Sequence, residues 1–124
     1  MSEYDQKARQ DEESNLVTDY ANSTFFEPTV MDLKILFGEW SGRLKGVDWH
    51  TAVTIPWVQA KLMSYFLELN IAVHESTIGK IQFPSSMIPA EPPPLTEEQM
   101  NDPKAEELRD IVIRSRNKFI ESLK

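Results

Sequence analysis

Between Pro56 and about Ile78 the chain carries a helical pattern that is apolar on two opposite sides, and such a segment has to be covered twice. At about 100° per residue, Val58, Leu62, Tyr65, Leu69 and Val73 fall along one side. Ala60, Met63, Leu67, Ile71 and Ile78 fall roughly opposite. Lys61, Ser64, Glu68 and Glu75 form a polar seam between them, with a thinner second seam at Gln59 and Asn70. Pro56 suits the first helical turn because it lacks a donor that would go unpaired there, and Gly79 supplies the stop. A sheet can cover the first side. The second requires the tail or another copy of the chain, since an open stripe of this length is an aggregation hazard.

The segments ahead of this helix read as strands. Thr24, Phe25 and Phe26 form a short β-prone run that Pro28 limits to an edge or a strand end. Met31, Leu33, Ile35 and Phe37 alternate with Asp32, Lys34 and Leu36 at the period of a half-buried strand, which Gly38 ends or bends. After a turn built on Ser41, Gly42, Lys45 and Gly46, a third run alternates Val47, Trp49, Thr51, Val53 and Ile55 with Asp48, His50, Ala52 and Thr54. The short connection favours antiparallel pairing, and Ile81 to Phe83 offers a possible fourth strand.

Residues 84–94 hold Pro84, Pro89, Pro92, Pro93 and Pro94 and read as an extended polyproline-like linker. Thr96 with Gln99 resembles a capping box, while Asp102 before Pro103 is the better helix start. In the helix that follows, Leu108, Val112, Phe119 and Leu123 share one side, with Ile111 at its margin. The expected fold is α+β: a small antiparallel sheet of three to four strands, a long helix, and a proline-hinged C-terminal amphipathic helix. Four regions follow from it: an acidic disordered arm (1–19), a core domain (20–84), a Pro-rich linker (85–95) and the tail helix (96–124).

At 124 residues the chain is the size of one domain with one modest core. No cysteine is present, which removes disulfides, thiolate nucleophiles and thiolate metal sites, and suits a reducing compartment. The first fifteen residues lack the apolar run of a signal peptide, and no stretch approaches about 18 uncharged apolar residues. The expectation is a cytoplasmic protein with no membrane partner. The net charge is −7. Residues 1–20 carry six acids and two bases, 21–83 six and five, and 84–124 eight and six. Such a balance disfavours phosphate backbones, so no nucleic-acid partner is expected. Arg114, Arg116 and Lys118 form the only basic cluster and are read as complementing the negative end of a helix dipole.

No arrangement of residues amounts to a reaction centre. His50 and Asp48 share strand periodicity and could form a carboxylate–imidazole pair that binds metal or moves protons. A solvent-facing polar row is the preferred reading, because no third ligand accompanies them. Asp32 and Lys34 are read as cross-strand charge partners rather than catalysts. No nucleophile elbow, phosphate loop, HExxH or EF-hand pattern occurs, so an enzyme, a cofactor and a metal are not expected. Asn22-Ser23-Thr24 formally matches a glycosylation acceptor and is read as chance. The aromatics Phe25, Phe26, Trp40, Trp49 and Trp57 are assigned to packing rather than base stacking, since no basic residues alternate with them.

From Tyr20 to Pro84 the order of residues resembles the uncharacterised family numbered 3467 among the domains of unknown function. The matching pieces are Tyr20-Ala21-Asn22, Asp32 followed by Leu33 to Leu36, Phe37-Gly38, Ala60-Lys61, and Glu75 ahead of Gly79-Lys80-Ile81. The resemblance implies a compact domain of a few strands and one long helix, and brings no activity or ligand. A looser architectural likeness is to SecB-type export chaperones, with a local echo at Phe83-Pro84 and Met87 to Pro89. The expected function is a protein–protein interaction module, a homodimer or higher oligomer. It self-associates through sheet and core helix, with Ala60, Met63, Leu67 and Ile71 on the second helix side. It docks a protein partner through Leu108, Val112, Phe119 and Leu123 of the tail. A SecB-like holdase that shelters unfolded segments on an apolar groove is the alternative.

Overall fold

The computed structural model describes residues 16–124. By compactness the chain divides into one unit running up to Ala72 and a second from Val73 to Lys124, and the division falls inside the long helix. The expected acidic arm lies for the most part outside the described residues.

In the first unit, β1 (Ser23–Pro28), β2 (Asp32–Ser41) and β3 (Gly46–Pro56) form an antiparallel sheet in the order β1-β2-β3. The β1–β2 turn is closed by Thr29, whose hydroxyl donates to the Asp32 carboxylate at 2.8 Å and whose N–H donates to the Asp32 carbonyl at 2.8 Å. Asp32 therefore serves the turn rather than a cross-strand ion pair. Lys34 does face a charged partner, Glu27 on β1, at 3.9 Å. The wider β2–β3 turn places Lys45 in the left-handed region, at φ 52°.

One face of the sheet holds Phe26, Ile35 and Val53 in a row, flanked by Pro28–Leu33–Ile55 and Thr24–Phe37–Thr51. Ile35, at the centre, is 3% exposed and is the one buried apolar side chain among the described residues. Gly38 bends β2 without ending it. The pairing shifts there, so that Phe37 opposes Thr51 while Gly38 opposes Trp49, and His50 is the extra residue of a bulge. The shift also changes faces. Simple alternation puts Trp49 and Thr51 together, whereas the bulge turns Trp49 to the opposite side, where its ring lies 6.3 Å from that of Phe25.

Helix α1 (Trp57–Thr77) starts directly after β3. The Trp57 indole N–H donates to the Thr29 carbonyl at 3.0 Å, tying the helix start to the β1–β2 turn. Its end lies in the second unit. Gly79 has φ +147° and donates to the His74 carbonyl, and the Glu75 carboxylate accepts the Ile81 N–H at 2.9 Å. No strand forms at Ile81 to Phe83; a 3-10 turn at Ser85–Met87 follows, between residues in polyproline-like conformation such as Pro84 (φ −64°, ψ 134°) and Ile88 (φ −65°, ψ 126°). The short helix α2 (Glu97–Met100) carries the capping box expected at Thr96 and Gln99. Helix α3 (Pro103–Ser122) begins at Asp102, whose carboxylate accepts the Lys104 N–H at 2.9 Å. The α+β class is as the pattern predicts, with three strands and the two longer helices where expected.

Candidate interaction surfaces

The entry to the sheet is fastened by polar groups. Asn22 donates its N–H to the Gly38 carbonyl and accepts the Trp40 N–H on its side chain, both at 3.0 Å, so it bridges the irregular stretch of β2. Ahead of it, Asp19 and Tyr20 reach the bulge on β3. The Thr51 hydroxyl donates to the Asp19 carboxylate at 2.9 Å, and His50 Nδ1 lies 3.0 Å from the same oxygen. His50 Nε2 is 2.9 Å from the Tyr20 carbonyl; a carbonyl only accepts, so this nitrogen carries a proton.

The carboxylate beside His50 is thus Asp19, thirty-one positions upstream, and not Asp48, which stands across from Glu39. Alternation could not indicate this, because the bulge removes His50 from the strand period and its partner lies outside the strands. The Thr51 hydroxyl bond holds the Asp19 carboxyl below its ordinary value, with help from the His50 charge and the Tyr20 N–H. Nε2 is spent on a backbone carbonyl, and the Thr51 hydroxyl lies between the Asp19 carboxylate at 2.9 Å and His50 Nδ1 at 2.8 Å. The cluster therefore has the geometry of a clasp joining residues 19 and 20 to β3.

Helix α1 presents both of its apolar sides openly. On the first side Val58, Leu62, Tyr65, Leu69 and Val73 are exposed, and no residue of the helix is buried. The expectation that the sheet covers this side does not hold, since all five side chains are exposed. On the second side Ala60 and Met63 are half-buried, whereas Leu67 is 55% and Ile71 46% exposed.

In the second unit the tail helix is not bare. Arg109 Nε donates to the Pro93 carbonyl at 3.0 Å and Arg116 Nε to the Pro89 carbonyl at 2.8 Å, while Arg116 also sits 3.7 Å from Glu91. The spacings agree. Seven helical residues rise about 10 Å and four polyproline residues about 12 Å, so the segment runs back along α3 with one arginine at each end. Phe83 meets Phe119 edge to face, ring centroids 5.1 Å apart. Arg116 consequently serves the proline segment, not the end of the helix dipole, and the last turn of α3 holds no base.

These contacts divide the four predicted tail residues. Phe119 and Leu123 lie on the half-buried stripe with Arg109, Ile113 and Arg116, whereas Leu108 and Val112 are exposed, as is Ile111. Sequence reasoning missed Arg109 and Arg116 as clasp residues because backbone carbonyls leave no residue-type signal. Among the described residues no group of three or more His, Asp or Glu could hold a metal ion, and no helix is long and apolar enough to cross a membrane.

Comparison with protein-family models, with curated proteins and with solved structures returns no match.

Proposed function

We propose that this protein is a non-enzymatic assembly module of the cytoplasm, which self-associates through its sheet and core helix and offers its C-terminal helix to another protein. The observation that carries this reading is the imbalance between Ile35, the one buried apolar side chain among the described residues, and a helix of twenty-one residues with none buried. A folded domain is only marginally stable, and apolar burial is its chief favourable term. A single buried isoleucine supplies about 1.5–3 kcal/mol of it. A second copy that covers Leu62 and Leu69 on one side, or Leu67 and Ile71 on the other, removes the deficit.

Of the residues that carry the family resemblance, Asn22, Gly38, Glu75 and Gly79 hold the entry to the sheet and close the end of the helix. The exposed second side of α1 also favours the holdase reading, in which Leu67 and Ile71 meet unfolded segments instead of a second copy.

Light scattering on the full chain tests the first reading, with a dimer or larger species expected at micromolar concentration. Leu67→Glu should shift the mass toward monomer or unfold the chain, because it places a charge in the covered interface. A wild-type monomer that is folded and monodisperse, with Leu67→Glu indistinguishable from it, overturns self-association. Suppression of aggregation of an unfolded client by that monomer would then favour the holdase.

A further inference from the structure

The sheet has two edges, and they are not alike. The outer edge of β1 is six residues long and ends in Glu27 and Pro28, a charge and a residue without a donor, both of which discourage further strand pairing. The outer edge of β3 has no such guard. From Trp49 to Trp57 it contains no Asp, Glu, Lys or Arg, and its one proline is the last residue before the helix. Thr51, Val53, Thr54 and Ile55 are β-branched and suited to a pleated surface. Among the described residues, β2 is the only strand that pairs with β3, and Asp19 and Tyr20 reach side chains of β3, at His50 and Thr51, and not its backbone. Unpaired N–H and C=O groups in a row form a template for another strand.

We propose that the outer edge of β3 pairs antiparallel with the same edge of a second copy, about a two-fold axis near Val53, so that two three-stranded sheets become one of six strands. The proposal deepens the self-association reading and rests on it. A second copy is the occupant because the edge is self-complementary. Antiparallel pairing about Val53 sets Val53 against itself, Thr51 against Ile55 and Ala52 against Thr54, and no charge meets its own image. Asp48 lies beyond the paired stretch. The row Phe26–Ile35–Val53, which reaches the edge with Val53 still 44% exposed, would continue into its own mirror row across the axis. Because α1 starts at Trp57, directly after this strand, the same axis brings the two copies' uncovered helices to one assembly.

The absence of native cysteine permits a direct assay. In the full chain, Ala52→Cys, Val53→Cys and Thr54→Cys are made singly, with Phe26→Cys on β1 and Leu67→Cys on α1 for comparison, and mild oxidation is followed by mass. Residues opposite one another across a strand pair have Cβ atoms about 4.5–5.5 Å apart, close to the reach of a disulfide. The expected result is a covalent dimer whose yield peaks within 52–54 and exceeds that at Phe26→Cys and Leu67→Cys several-fold. Val53→Lys should shift the light-scattering mass toward monomer while leaving the circular dichroism of the chain in place. A dimer that cross-links through Phe26→Cys or Leu67→Cys and not through β3 overturns the edge pairing and leaves self-association standing. A wild-type monomer overturns both.

Discussion

Gly38 lies directly beneath the indole of Trp49: a Cβ built on Gly38 would stand 2.8 Å from Trp49 Cε3, 2.6 Å from a Val47 methyl and 2.7 Å from the Asp48 carbonyl oxygen. The carbonyl belongs to the paired strand and cannot step aside as a side chain could. Gly38 is what lets the indole lie over β2 and reach Phe25 on β1. Gly38→Ala should therefore open the bulge and cost about 1–3 kcal/mol, read as a lower denaturation midpoint and a loss of near-ultraviolet signal from Trp49. Gly42→Ala, where added volume meets nothing within 4 Å, is the control and should be almost neutral.

The clasp at Asp19 gives stability a pH dependence with a definite sign. Its carboxyl is held below the ordinary 3.8, chiefly by the Thr51 hydroxyl. A depressed folded value means that the stabilisation is fully present above the unfolded value and disappears as pH falls through the folded one. Asp19→Asn should leave the chain weaker than wild type at neutral pH and converge with it in acid below that window. Thermal midpoints across a pH series check this, and a difference that persists at the acid end would place the effect elsewhere.

How much of this was legible beforehand depended on the kind of signal. Strand and helix periods are local, so Leu33 to Phe37 and Pro56 to Gly79 were readable from spacing alone. The bulge was not, because an extra residue at His50 breaks the period it would be judged by, and with it went the faces of Trp49 and the partner of His50. The two-sided helix was legible as a pattern, but which neighbour covers each side is a tertiary matter. The sheet, the obvious candidate, does not cover it. In the tail, Asp102-Pro103 marked the start of α3 correctly. The role of the proline segment stayed hidden, since its recognition runs through the carbonyls of Pro89 and Pro93.

Arg116 is the stronger of the two ties on that segment, with its donor 2.8 Å from the Pro89 carbonyl and Glu91 nearby. Arg116→Ala removes both contacts along with the packing of the arginine stem, for a local loss of about 1 kcal/mol. Arg116→Lys should not restore it, because a lysine offers a compact point charge in place of the planar donor that meets the carbonyl here. Amide hydrogen exchange should accelerate from Ile88 to Leu95, apart from the prolines, with the middle of α3 unchanged. Equal acceleration throughout α3 would mean that the arginine supports the helix itself.

The unequal positions of the four tail residues separate folding from docking. Phe119 packs on Phe83, and edge-to-face aromatic pairs contribute about 0.5–1.5 kcal/mol beyond their buried area. Phe119→Glu should thus release the Phe83 end of the segment and lower the stability of the second unit even when the protein is alone. Leu108 is 53% exposed and lies off the half-buried stripe of Arg109, Ile113, Arg116 and Phe119. Leu108→Glu should leave hydrogen exchange of the unit unchanged and weaken only the capture of a protein partner. If the two variants instead destabilise the isolated chain equally, Leu108 is covered within the chain and the outward stripe of α3 is not its docking face.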